Sequence, residues 1–259
     1  MEKPQAPQAK KHEHRFQTHS MTWLLIILNV LIFSLIFSLP QVMQDWVFQT
    51  LSFSKGGVFE VWRWFTSLFM HISASHLFFN MLGLYFFGKI FEEEVNRQWF
   101  LSAYFASGLI GNFVFMLTSA APVVGASGCV FGVMGAAMLL NPIKRIRLYM
   151  FPLPLGIIAI LFLIFETLVV YFQPQEFSGV ANIAHLGGVI TGSVFAFFYD
   201  WRRASKGLLV LFVCIVLLII LAPIFALITG IGGLILGIIE AVVGFFLYGI
   251  AGLLSFIWV

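Results

Sequence analysis

Four polar side chains stand out because the sequence around them has almost no other polarity. Ser127 lies in Gly125-Ala126-Ser127-Gly128-Cys129-Val130-Phe131-Gly132, at the start of an apolar run. His185 lies in Ala184-His185-Leu186-Gly187-Gly188 in a second run, and His76 and Asn80 stand four residues apart in a third. Such groups are expensive at membrane depth and usually functional there. A hydroxyl and an imidazole make a nucleophile and its general base if they come within about 3 Å. A histidine and an asparagine at i and i+4 share one helix face and can aim two donors at one developing oxyanion. The Ser127 N–H, near a helix N-terminus where amides lack intrahelical acceptors, can add a third. The chemistry would be hydrolysis by a serine nucleophile inside the bilayer.

Bringing Ser127 to His185 requires two helices in close contact. Gly128, Gly132 and Ala136 recur every four residues on one, and Ala184, Gly188 and Gly192 on the other. Bare stripes of this kind let membrane helices approach backbone to backbone. They also occur as plain packing motifs, but here each stripe has a catalytic-type residue beside its first small residue. Phe131, one turn after Ser127, can stack on the His185 ring. Taken alone, His76 and Asn80 are equally readable as interhelical hydrogen-bond glue. Asp45 and Asp200 fall outside the spans, and Glu166 is left unassigned, so a Ser-His dyad is the economical arrangement.

The chain is 61% hydrophobic and only 10% charged, with a mean hydropathy of +1.01. A water-soluble domain needs far more charge on its surface. Cys129 and Cys214 both sit in apolar runs and are expected as free thiols. The pI near 9.0 does not point to nucleic acid, because the basic residues cluster between hydrophobic spans.

Residues 1–20 form a polar tail, in which His12, His14 and His19 are read as solvated rather than metal-binding. Spans are expected at about 21–39, 75–91, 98–118, 126–142, 149–171, 183–199, 207–228 and 232–258. Residues 40–74 are too polar to span and rich in aromatics, so they form an interfacial outer loop with short helices. With the tail in the cytoplasm, the inside segments 1–20, 89–97, 141–148 and 200–206 hold twelve of the 14 Lys and Arg residues. The N-terminus is therefore placed inside, and Ser127, His185, His76 and Asn80 all fall toward the outer face. The domains are a tail (1–20), a membrane core (21–199) and a hydrophobic C-terminal extension (200–259). Glu240 in the last run is expected to be protonated or paired.

The chain resembles the rhomboid intramembrane serine proteases over about residues 21–199. Gly125-Ala126-Ser127-Gly128 is similar to that family's nucleophile motif, Gly-x-Ser-Gly. His71, His76 and Asn80 match its His-x4-His-x3-Asn, and Ala184, His185, Gly188 and Gly192 match Ala-His-x2-Gly-x3-Gly. Trp62-Arg63, preceded by Glu60, matches the Trp-Arg pair of its first outer loop. Gly88 and Glu92 fall where the family has a glycine and a glutamate after the second helix.

The resemblance implies an all-α polytopic membrane protein, with a six-helix core plus a C-terminal pair of apolar helices. It implies Ser127 as nucleophile, His185 as base, and His76, Asn80 and the Ser127 amide as oxyanion hole. His71, Phe131, Gly125, Gly128 and Gly188 support the site, and Trp62 and Arg63 brace the loop. The position of Phe131 is commonly tyrosine in the family. Substrates would be single-pass transmembrane proteins cut near the outer end of their spans, with no metal or cofactor and no nucleic acid. The setting would be a bacterial plasma membrane, with lipid around the core and the site opening outward. The alternative is a catalytically inactive rhomboid-like relative acting as a membrane-embedded binding or quality-control factor. A transporter fits less well, because the polar groups cluster at one depth. A soluble esterase is disfavoured, because Gly-x-Ser-x-Gly fails at Cys129.

Overall fold

A computed structural model describes residues 20–148, 151–160, 162 and 181–216. The three tail histidines, Glu166, most of the 172–182 loop, Glu240 and the run 232–258 lie outside the described residues. The chain divides into two compact units, Met1–Leu208 and Leu209–Val259. In the second, residues 209–216 are helical and include the free thiol of Cys214.

Helix α1 (Met21–Phe37) starts at Ser20, whose Oγ accepts the Trp23 N–H at 3.4 Å. Glu92, distant in sequence, accepts from Ser20 Oγ at 2.6 Å and from the Met21 N–H. A carboxylate at this end complements the helix dipole and fills backbone donors that α1 cannot satisfy itself. A Cβ at Gly88 would lie 3.0 Å from Thr22 Oγ1, so the second helix runs close against α1 here.

The 40–74 region holds α2 (Gln41–Leu51), a 3-10 turn at Lys55–Gly57, α3 (Val61–Thr66) and a second 3-10 turn at Ser67–Phe69. No residue of α2 is buried. Arg63 ties the region together: its Nε donates to Glu60 Oε2 at 2.7 Å, and its Nη1 to the Ser52 carbonyl at 3.1 Å and to the Gln49 carbonyl. Trp62 Nε1 donates to Thr50 O at 3.4 Å, and Trp64 Nε1 to Val58 O at 2.9 Å.

The second helical run is longer than the expected 75–91. It comprises α4 (Ala74–Gly83), a π turn at Leu84–Gly88 and α5 (Lys89–Glu94). Ser73 starts it by accepting the His76 N–H. Helix α6 (Arg97–Thr118) is capped by Asn96 and, with Asn182–Tyr199, is long and apolar enough to cross a membrane.

Helix α7 (Ser127–Leu140) is the centre of the bundle, and every residue from Gly128 to Leu140 is buried. Its sequence after Ser127 has no charged group and is apolar on all sides, as a helix surrounded by protein must be. Glycine sets its distance to α6. A Cβ at Gly108 of α6 would lie 2.2 Å from Cys129 Sγ, and one at Gly132 would lie 2.0 Å from Ser107 Oγ.

Among the described residues, one element departs from the expected helical pattern. Strands β1 (Arg145–Leu148) and β2 (Phe151–Pro154) form an antiparallel hairpin pairing Arg145 with Pro154 and Leu148 with Phe151. The expected span at 149–171 therefore begins later, and helix α8 is described over 155–160. Proline explains the correction: Pro152 and Pro154 lack an N–H and push Phe151 and Leu153 away from helical backbone. Helix α9 (Ala181–Tyr199) follows, and residues 201–208 are helical again.

Candidate active site

The loop before α7 is held by backbone from the 40–74 region. Phe53 and Val123 exchange two hydrogen bonds, at 3.1 and 2.7 Å, and the Gly125 N–H donates to Ser67 O at 2.9 Å. Asn112 of α6 fixes Ser67 in turn, donating from Nδ2 to its Oγ at 3.1 Å. Gly125 has a φ of 122°, a conformation that side chains rarely tolerate. A Cβ there would also sit 2.8 Å from His76 Nε2 and 3.9 Å from Ser127 N. The imidazole nitrogen and the serine amide thus border one small space above a bare glycine. Ser127, the first residue of α7, is half-buried, as are His76 and His185.

His71 lies beneath this space with 1% of its surface exposed. Its Nε2 accepts the Ala126 N–H at 3.5 Å, and its ring meets His76 edge-on at 5.0 Å. Burial, reinforced by the neighbouring His76 and opposed by the Phe69 backbone, pushes its pKa from 6.5 down to about 3. The neutral ring is the form that can accept at Nε2. The unfolded chain binds the His71 proton from about pH 6.5 downward while the folded chain does not, so stability falls as pH drops from 6.5 toward 3. His71→Gln is expected to flatten this acid-side decline, as read from melting temperature against pH in detergent.

Asn80, one turn after His76, is buried and donates one Nδ2 hydrogen to the His76 carbonyl at 2.9 Å. A side-chain amide has two such hydrogens, so a second N–H is left for another acceptor. This contact is within one helix rather than between two.

The His185 ring stacks on Phe131 with centroids 4.3 Å apart and planes 9° from parallel. The helices beneath them touch through backbone. A Cβ at Gly188 would lie 2.3 Å from Gly128 O, and one at Gly192 would lie 1.8 Å from Gly132 O. Helix α6 closes on α9 the same way, since a Cβ at Gly111 would meet Ala184 O at 2.7 Å. Ser127 and His185 therefore flank a contact between two glycines, with the phenyl ring one turn after the serine against the imidazole.

A family model described as the rhomboid domain matches residues 58–203, more than half of the chain, a stretch that includes His71, His76, Asn80, Ser127, Phe131 and His185. The chain belongs to the rhomboid family. Rhomboids are integral membrane proteins, and similar sequences come from distant organisms. "RHOMBOID-like protein 1" of Arabidopsis thaliana is 34% identical over 141 residues, covering 54% of this chain and 35% of that protein. "Rhomboid protease GlpG" of Yersinia pseudotuberculosis is 29% identical over 147 residues, covering 57% and 51%. "Rhomboid protease GluP" of Bacillus subtilis is 32% identical over 133 residues, covering 51% and 25%. The matched stretch thus spans between about a quarter and a half of these relatives' own lengths.

Three rhomboid residues that shape the site were not singled out in the sequence. Asn112 had a usable signal, a polar side chain inside an apolar run, the same signal that marked Asn80. Ser67 and Phe53 had none, because their parts are played by backbone and by contacts distant in sequence.

Proposed function

We propose that this rhomboid is an intramembrane serine endopeptidase with a Ser127–His185 dyad. The observation that supports this most is the Phe131–His185 stack above the Gly128–Gly188 contact, which fixes the imidazole beside the serine helix. In this reading His185 takes the Ser127 hydroxyl proton as Oγ attacks the scissile carbonyl. The carbonyl oxygen becomes an oxyanion received by His76, the second Asn80 N–H and the Ser127 amide. His185 then returns the proton to the departing amine, and water repeats the sequence on the acyl-enzyme. Half-burial of Ser127, His76 and His185 is consistent with the water access that this last step needs.

The substrates proposed are single-pass transmembrane proteins cut near the outer end of their spans. The N-terminus is assigned to the cytoplasm and the site to the outer face, in a plasma membrane of bacterial type. Residues 1–20 serve as a tail, 21–199 as the catalytic core and 200–259 as an accessory extension. The test is reconstitution with a single-pass reporter in liposomes. A cut near the outer end of its span supports the assignment; an intact reporter in the presence of folded protein favours an inactive, binding relative.

The oxyanion assignment makes a separate prediction. Asn80→Ala and His76→Ala are each expected to lower kcat by ~10²–10³, the loss typical of one such donor. If both leave kcat unchanged and only reduce melting temperature, these residues are helix-packing groups.

A further inference from the structure

At the end of α7 opposite Ser127, one side chain reaches all three helical runs that carry the site. Arg203 Nη2 lies 2.7 Å from Glu94 Oε2, 2.9 Å from Asn141 Oδ1 and 3.1 Å from the Leu140 carbonyl. Glu94 ends the helical run, begun at Ala74, that carries His76 and Asn80. Leu140 and Asn141 are the last residue and C-cap of the serine helix. Arg203 itself lies four residues past α9, the histidine helix, and its N–H is held by Asp200 Oδ1 at 3.0 Å. Tyr199, the last residue of α9, donates its hydroxyl to Glu94 O at 2.7 Å. Lys144 adds a 2.6 Å ion pair to Glu93 beside the cluster.

We infer that Arg203 is a positioning residue, which sets the axial register of α7 and α9 and through them the approach of Ser127 to His185. This rests on the dyad reading above. The physical reason lies in the glycine interface. Where Gly128 meets Gly188 and Gly132 meets Gly192, the two helices touch through bare backbone, and the Phe131–His185 stack is the side-chain contact beside them. Close contact there fixes the distance between axes far better than the position along them. The Arg203 contacts add a hold on register at the helix ends, away from the site. Arg203 also meets the free carbonyl of α7 with a cation, where the helix dipole favours one. The ion pair is half-buried, with side-chain exposures of 40% for Arg203 and 20% for Glu94. A pair still reached by solvent contributes modestly to stability, so the inferred role is geometric and is read from the rates rather than from melting temperature alone.

The test uses the full chain in detergent, with three measurements per folded protein: the rate of Ser127 modification by a small fluorophosphonate, kcat and KM on a transmembrane reporter, and melting temperature. Arg203→Gln is expected to slow both modification and kcat by about 10-fold, with KM changed less than about 2-fold, because small misplacements of reacting groups are costly. Arg203→Lys, which keeps a cation able to reach Glu94 or Leu140 but not all three acceptors, is expected to recover part of that rate. Wild-type modification rate in Arg203→Gln, with only the melting temperature lowered, would overturn the inference. If Arg203→Gln does not fold, Arg203→Lys decides, and an unchanged modification rate there overturns it equally. A folded wild-type chain that is not modified at Ser127 defeats the dyad reading and takes this role with it. Slow variants beside a reactive wild type separate the two.

Discussion

Ser127→Ala and His185→Ala are each expected to reduce cleavage of a transmembrane reporter by on the order of 10⁴-fold or more, and the double variant to be no slower than either. Groups that act as one unit lose their whole effect when either is removed, so the losses do not add. The structural basis is the placement of both residues at one glycine contact. Ser127 opens α7 immediately before Gly128, and His185 lies three residues before Gly188 on α9. Phe131 covers one face of the imidazole at 4.3 Å, which limits the ring to orientations in its own plane. Neither substitution touches the backbone contact, and both remove atoms at half-buried positions, so the folded state should persist. Substantial cleavage by either folded single variant would end the dyad mechanism.

The second large effect is expected at a residue with no reactive group. Gly188→Val should reduce activity by at least ~10²-fold while Ser127 and His185 remain present. The first added carbon would lie 2.3 Å from Gly128 O and 3.1 Å from Gly128 C, and neither is the end of a flexible side chain. The helices must separate or slide, and overpacking of this kind typically costs about 1–3 kcal/mol. That is a tolerable loss for the fold but a large displacement for a proton transfer that needs hydrogen-bond contact. Activity and melting temperature measured together distinguish the two effects. Full activity in Gly188→Val would mean that the α7–α9 contact does not govern the dyad.

The candidate site of this rhomboid was legible in its sequence because the bilayer makes polarity conspicuous. Ser127, His76, Asn80 and His185 are visible as exceptions in apolar runs, and glycine spacing indicates which faces meet. The core helices were legible for the same reason, since each of α1, α6, α7 and α9 is an apolar run of suitable length or close to it. Features that depend on distant partners were not. Glu92 capping α1, Ser67 holding the loop before Ser127 and Arg203 joining three helix ends leave no local pattern. The β1–β2 hairpin had a local signal, the paired prolines at 152 and 154, but the apolar residues around them resembled the start of a span. The π turn at Leu84–Gly88 lies within an unbroken apolar helix pattern, and nothing in its residue types marks it.

The most direct measurement of the central claim is covalent labelling of the purified, folded chain with a fluorophosphonate, followed by mass-spectrometric mapping of the modified residue. An activated serine beside its base should be labelled at Ser127 alone. Ser127→Ala should abolish the adduct, and His185→Ala should slow its formation severely, because a serine hydroxyl is a weak nucleophile without a base. An adduct at another residue, or none on the folded wild-type chain, would contradict the account.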